Sequence, residues 1–284
     1  MNAVVEQLAT QLARGQVIPF VGAGVSMSLG LPSYADLIRE LGGSVDFDGS
    51  IFEQLGDYLT LAEYYHIKKS GLLELQRHLQ EKWKKSQKEV LESPVHRAIV
   101  GLRCKLIYTT NFDSFLEQAH RGMKRHYRAL RSVNDFVNLA EDKVHIVKLH
   151  GDLRSPSTMV FTESSYFERL ALESPLDIKL RSDILGKSLL FIGYSLSDIN
   201  VRLLLFKLQK LWEVGPRPQF RPKSYVFLGR PNEVQAEVLR HRGVETIVAE
   251  STDQTLSLAR FLTDLRARAD VLSGSTHLSS RRSK

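Results

Sequence analysis

Val17-Ile-Pro-Phe-Val21-Gly22-Ala23-Gly24-Val25-Ser26 decides the reading of this chain. Val17–Val21 is a short apolar run, long enough for a strand buried on both faces. Gly22-Ala23-Gly24 follows at once, and a helical pattern begins near Tyr34. The unit is strand, glycine turn, helix. Upstream, residues 2–14 place Val4, Val5, Leu8 and Leu12 on one helical stripe, ended by Gly15.

Downstream the rhythm is interrupted, then resumes. Residues 43 to about 104 read as a helical insertion, with helices over Ile51–Ile67, Leu72–Lys85 and Pro94–Leu102. Further strands are expected at Lys105–Thr109, Val144–Leu149, Leu189–Ile192, Ser224–Leu228 and Val244–Val248. Helices are expected over Phe112–His120, Asp198–Leu211, Glu233–Arg240 and Thr255–Arg268, with Gly243 capping the third of these. Apolar strands alternating with helices predict a doubly wound, Rossmann-like α/β fold with a parallel sheet covered on both faces. The expectation is a single domain over 1–284, with the insertion at about 43–104 and a polar, flexible tail at about 273–284.

Composition agrees with a globular chain. The 284 residues are 43% hydrophobic and 25% charged, which excludes global disorder, collagen and a disulfide scaffold. The single cysteine, Cys104, permits neither an internal disulfide nor a cysteine zinc cage. No stretch approaches the ~20 apolar residues of a membrane span, and the start lacks the pattern of a signal peptide. A cytoplasmic protein is expected. The formal charge of +7 permits an anionic ligand or nucleic acid without demanding either. It gathers in Lys82, Lys84, Lys85 and Lys88, in Arg121, Lys124, Arg125, Arg128 and Arg131, and in the last four residues. Solvated helix faces and a frayed tail account for most of it. No recognised nucleic-acid motif is present, so direct nucleic-acid binding is not expected.

In an open parallel sheet, ligands bind beyond the carboxyl ends of the strands. Four of those ends carry small and polar residues: Gly22–Ser26, Thr109-Thr110-Asn111-Phe112-Asp113, His150-Gly151-Asp152 and Gly193-Tyr194-Ser195-Leu196-Ser197-Asp198. Each has an ordinary explanation. Met27 stands where the dinucleotide fingerprint needs a third glycine, and no P-loop is present, so the glycine turn is either a phosphate cradle or a structural turn. Asn111, Asp113 and Asp198 each fit a helix cap. His150 in isolation fits a structural histidine. Together, the four suggest one shared cleft.

In order, these segments resemble the sirtuin family. Phe20–Ser26 with Gly30-Leu31-Pro32 matches its glycine-rich opening, and Thr110–Asp113 resembles its asparagine-x-aspartate segment. Lys148-Leu149-His150-Gly151 resembles its histidine-glycine segment, and Phe191–Leu196 its late glycine-x-serine turn. The match covers roughly residues 15–212. Deacylating sirtuins carry four zinc cysteines and an aspartate-phenylalanine-arginine turn, where this chain has one cysteine and Ser33-Tyr34-Ala35. Those departures, Asp198–Arg202 and the closing elements over 224–268 are similar to the zinc-less prokaryotic branch, whose members often hydrolyse NAD in antiphage defence.

The resemblance implies NAD as substrate, no metal, and cleavage of the nicotinamide–ribose bond to nicotinamide and ADP-ribose. It implies Asn111, His150 and Asp113 as catalytic residues. Asn111 would meet a ribose hydroxyl or the water, His150 would act as base, and Asp113 would support the ribose or carboxamide. Gly22, Ala23, Gly24, Ser26, Pro32 and Thr110 would bind NAD, with backbone amides of the glycine turn on the pyrophosphate. Gly193, Ser195 and Asp198 would line the adenosine end. A toxic hydrolase needs control. A homo-oligomer or a separately encoded sensor, an ATPase or Argonaute-type protein, is expected to supply it, and the insertion is either a contact surface or a lid. A non-catalytic NAD or ADP-ribose sensor, and more remotely a protein deacylase, are the alternatives.

Overall fold

The computed structural model describes residues 3–280 apart from 195, 197, 216, 218 and 219, with backbone alone for 275–280. It begins with α1 (Ala3–Ala13), β1 (Val17–Val21) and the short α2 (Ala23–Met27). A run of helices follows: α3 (Tyr34–Gly43), α4 (Gly49–Glu53), α5 (Tyr58–Lys68), α6 (Leu73–Lys82), α7 (Gln87–Glu92) and α8 (Pro94–Gly101). Then come β2 (Leu106–Thr109), α9 (Phe115–Gly122), β3 (Tyr127–Leu130) and β4 (Val144–Lys148). The remainder is α10 (Glu163–Glu168), α11 (Pro175–Asp183), β5 (Ser188–Ile192), α12 (Ile199–Glu213), β6 (Ser224–Leu228), α13 (Glu233–His241), β7 (Val244–Val248) and α14 (Gln254–Ser280).

The strands form one seven-stranded sheet in the order β3-β4-β2-β1-β5-β6-β7. Every pairing in it is parallel. The fold is the expected doubly wound one. β1 lies at its centre, with β2 on one side and β5 on the other, so the chain reverses its direction of travel there. The apolar strand runs conceal a period of two. Val17 and Val21 of β1, Ile107 of β2, and Leu190 and Ile192 of β5 point to one face, under α1, α8 and α14. Ile18, Phe20, Tyr108, Leu189 and Phe191 point to the other, under α11 and α12. Burial on both faces, at about 1.5–3 kcal/mol per large aliphatic side chain, removes the polar positions that would have shown the alternation.

Four expectations change. β3 was not foreseen. It is an edge strand whose first half is only partly buried, so Tyr127-Arg128-Ala129-Leu130 carries no continuous apolar run. The basic stretch read as solvated helix therefore contains a strand, and its Arg131 is tied into a buried ion pair rather than solvated. The helix expected over Ile51–Ile67 is two helices, because Asp57 caps α5 by accepting from the Leu59 and Thr60 amides. The segment 43–104 is not uniform. α3 to α6 build a core of their own around Leu37, Phe52, Tyr65 and Leu79, whereas Val95 and Ile99 of α8 belong to the sheet. Finally, α14 stays helical through Ser280 across most of the stretch read as a flexible tail, and residues 281–284 lie outside the described residues. No helix among the described residues is long and apolar enough to cross a membrane.

Candidate active site

The carboxyl ends of β1, β2, β4 and β5 meet at one cleft, open to solvent. Ala23, Ser26, Pro32, Thr110, Asn111, Asp113, His150 and Asp198 all line it. Gly22, Gly24 and Gly193 pack behind that wall. Ser195 lies outside the described residues.

The glycines explain how the wall forms. A Cβ on Gly22 would lie 2.6 Å from the Gly193 oxygen, and one on Gly24 would lie 2.9 Å from it. Gly193 has φ +60, and a Cβ there would sit 2.6 Å from the Val25 nitrogen. Two turns thus approach through bare backbone. The Gly22 amide donates to Ile192 O at 2.9 Å and the Gly24 amide to Gly193 O at 2.9 Å. This corrects the phosphate-donor role expected of those two amides, because both protons are engaged within the fold. Gly22→Ala should destabilise the protein by about 1–3 kcal/mol through overpacking, read as a lower urea midpoint at constant m-value. A stability equal to that of the unmodified chain would show that the turns need not touch.

Asn111 is fixed at one end and open at the other. Its Nδ2 donates to Gly22 O at 3.0 Å and to Ser26 Oγ at 2.9 Å, and its amide donates to Thr109 Oγ1 at 3.0 Å. Its Oδ1 is buried and has no partner among the described residues. A buried acceptor left unpaired costs about 1–3 kcal/mol, so a donor from a ligand would be favoured there. Asp113 differs from expectation. Its Oδ2 accepts from Ser26 Oγ at 2.6 Å and its Oδ1 from the Phe115 amide at 2.9 Å. The carboxylate expected to meet a ribose or carboxamide is engaged within the protein, holding Ser26 and the loop.

His150 is buried, and burial pushes its pKa down to about 4 against a smaller upward pull from Asp198. It is therefore a neutral imidazole at physiological pH. Its Nε2 lies 3.4 Å from Asp198 Oδ2, and the Tyr166 ring stands edge-on 5.3 Å away. Asp198 also caps α12, accepting from the Asn200 amide at 2.8 Å. Both readings of Asp198, helix cap and cleft residue, hold at once. Its free oxygen sits beside His150.

A buried ionic cluster supports this floor. The Lys148 ammonium donates to Phe112 O at 3.2 Å and to Asp113 O, and lies 3.4 Å from Glu117 and 3.2 Å from Asp152. Arg131 closes the group, 2.8 Å from Asp152 and 3.6 Å from Glu117. Burial raises the Asp152 pKa, but Lys148 and Arg131 together hold it below the ordinary value.

Sequence reasoning missed the aromatic wall: Tyr34, Trp83, Phe112 and Tyr166 also line the cleft. Trp83, directly after α6, brings the helical segment to the site. Ser33-Tyr34-Ala35, noted only as a departure, has a local purpose. Ser33 and Asp36 form a capping box that starts α3, and the Tyr34 hydroxyl donates to Phe161 O at 2.8 Å. Tyr166 lies in a stretch whose short helix left no clear periodicity. Among the described residues, no group of three or more His, Cys, Asp or Glu is placed to hold a metal.

A family model described as "SIR2-like domain" matches residues 105–247, half of the chain. The chain belongs to the SIR2-like family. The chain is 26% identical over 227 residues to NAD(+) hydrolase ThsA of Enterococcus faecium, covering 77% of this chain and 45% of that protein. It is 24% identical over 293 residues to NAD(+) hydrolase ThsA of Bacillus cereus (strain MSX-D12), covering 97% of this chain and 60% of that one. Defense-associated sirtuin 2 of Bacillus subtilis is 24% identical over 264 residues, covering 88% of this chain and 25% of that protein. The chain thus spans between 25% and 60% of the length of these curated relatives. A crystal structure of a SIR2 homolog–NAD complex superposes with TM-score 0.53 at 12% identity, covering 94% of each chain, which shows the SIR2-like fold.

Proposed function

We propose that this chain hydrolyses NAD at the nicotinamide–ribose bond, as a regulated effector of antiphage defence. The observation that carries the reading is the convergence of Asn111, with its unpaired buried Oδ1, and a neutral His150 on one cleft of a SIR2-like fold. The names of the relatives support the same substrate and setting.

Nicotinamide is cationic in NAD and leaves neutral, taking the electron pair of the broken bond. It needs no general acid, unlike the oxygen leaving group of ordinary glycoside hydrolysis. Positive charge gathers on the ribose, and the site must orient that ring and admit water. Asn111 Oδ1 accepts a ribose hydroxyl or holds the water. His150 takes the proton as water oxygen bonds the ribose carbon, leaving ADP-ribose. Ala23, Pro32 and Thr110 line the binding wall, while Gly22, Gly24 and Gly193 set its shape. Control by homo-oligomer assembly or by a separately encoded sensor in the cytoplasm completes the reading.

A time course with NAD, read by chromatography, should show nicotinamide and ADP-ribose appearing together, and His150→Ala should abolish both. NAD bound but intact would favour the sensor reading, and no binding would remove NAD from the site. The pH profile gives a sharper check. A base at the ordinary histidine value would lose kcat/KM below about pH 6.5. A base held near 4 stays deprotonated, so kcat/KM should remain flat from pH 8 to about 5 and fall only toward pH 4. A half-maximal point near 6.5 would contradict the buried, neutral His150.

A further inference from the structure

Asp198 sits where no ribose is needed to explain it. Its Oδ1 accepts from the Asn200 amide at 2.8 Å and from the Val201 amide at 3.2 Å, at the start of α12. Its Oδ2 lies 3.4 Å from His150 Nε2. The His150 side chain is 6% exposed and that of Asp198 11%, so little water screens the contact. The helix start fixes one oxygen, which aims the other at the imidazole.

We propose that Asp198 is the positioning residue for His150: its carboxylate keeps the imidazole proton on Nε2 and leaves the lone pair on Nδ1. Of the two ring nitrogens, the one facing a carboxylate keeps its hydrogen, and the other then serves as base. When Nδ1 takes a proton from water or a ribose hydroxyl, the neighbouring carboxylate steadies the resulting imidazolium. The remaining surroundings of His150 do not replace Asp198. Tyr166 presents a ring edge, and Tyr194 faces Asp198 itself. Arg169 and Asp177, which also act on the histidine, are paired with each other. Burial drives the His150 pKa downward, and Asp198 is the strongest influence the other way. The pairing stands on geometry alone, while the role of Nδ1 in turnover rests on the proposed NAD hydrolysis.

The test uses the full chain with isotope-labelled histidine, comparing the unmodified protein with Asp198→Asn. Asparagine keeps an oxygen for the α12 cap and turns an amide donor toward Nε2. Ring-nitrogen NMR shifts of His150 should report the Nε2–H form in the unmodified protein and the Nδ1–H form in the variant. Asp198→Ser, which keeps a capping oxygen and removes the carboxylate, should also lose the Nε2–H preference. In turnover, Asp198→Asn should lower kcat by roughly 10²–10⁴-fold with KM changed less than about threefold. An Nδ1–H form in the unmodified protein, or the same tautomer in all three proteins, would overturn the pairing. A rise in KM at unchanged kcat would return Asp198 to substrate holding. If the unmodified chain leaves NAD intact, the hydrolase reading fails on its own, and the tautomers still decide the pairing.

Discussion

Asn111→Ala is expected to lower kcat/KM for NAD by roughly 10²–10³-fold, the usual cost of removing one preorganised polar group aimed at a reacting centre. The geometry makes the loss specific. The wild-type amide is held by Gly22 O and Ser26 Oγ, so its oxygen needs no reorganisation to meet a ligand. Alanine removes that oxygen and leaves Gly22 O short of a donor. Asn111→Asp is the informative companion. It keeps the shape but turns an acceptor toward Gly22 O, and it should be at least as inactive. Both variants also lose the Nδ2 bonds to Gly22 O and Ser26 Oγ, so each should be destabilised in urea by about 1–3 kcal/mol while remaining folded. Steady-state kinetics beside an unfolding curve separates the two effects. Full turnover in Asn111→Ala would remove this residue from the chemistry.

Lys148→Met should give the largest loss of stability, about 3–5 kcal/mol. Removing one member of a buried ionic group strands the others in a poorly solvating interior. The Lys148, Glu117 and Asp152 side chains are at most 2% exposed, and Arg131, with the exposed Arg154 at 3.9 Å from Asp152, would remain to answer two carboxylates. Methionine fills similar space, so lost packing contributes little. The same change also releases the carbonyls of Phe112 and Asp113, and should loosen the loop that carries Asn111. Lys88→Met is the control. Lys88 pairs with Glu92 at 3.7 Å on an exposed helix face, where such pairs add little. If both variants unfold at the same urea concentration, the buried group is not holding the floor together.

The contrast shows what a sequence makes legible. Val17–Val21 and Leu189–Ile192 are buried on both faces, so their apolar runs announce central strands. β3 escapes because an edge strand with Arg128 in it needs no such run. The cleft residues on the four strand ends were readable as residues, since short polar motifs after apolar runs mark the ligand side of a parallel sheet. Their division of labour was not. Whether Asp113 faces a ligand or Ser26, and whether Asp198 serves a ribose or His150, depends on angles between loops distant in sequence. In the sequence Lys148 stands out only as part of the histidine-glycine motif. Nothing in its neighbours signals that its ammonium grips the asparagine loop, because those carbonyls arrive from another strand. The aromatic wall was hidden for the same reason: Trp83 and Tyr166 reach the cleft from segments with no motif.

The contact between the Gly22–Gly24 turn and Gly193 carries a consequence for how such a cleft can change. Two backbones meeting through glycines, under the Tyr194 ring, form a joint that neither segment can alter independently. A larger residue on one side requires retreat on the other, and Gly193 cannot retreat without moving the segment that leads to Asp198. New ligand preferences in descendants of this chain, natural or engineered, should therefore arise from the aromatic rim contributed by the helical lobe and from Tyr166. There, side chains can be exchanged one at a time while the glycine joint stays fixed.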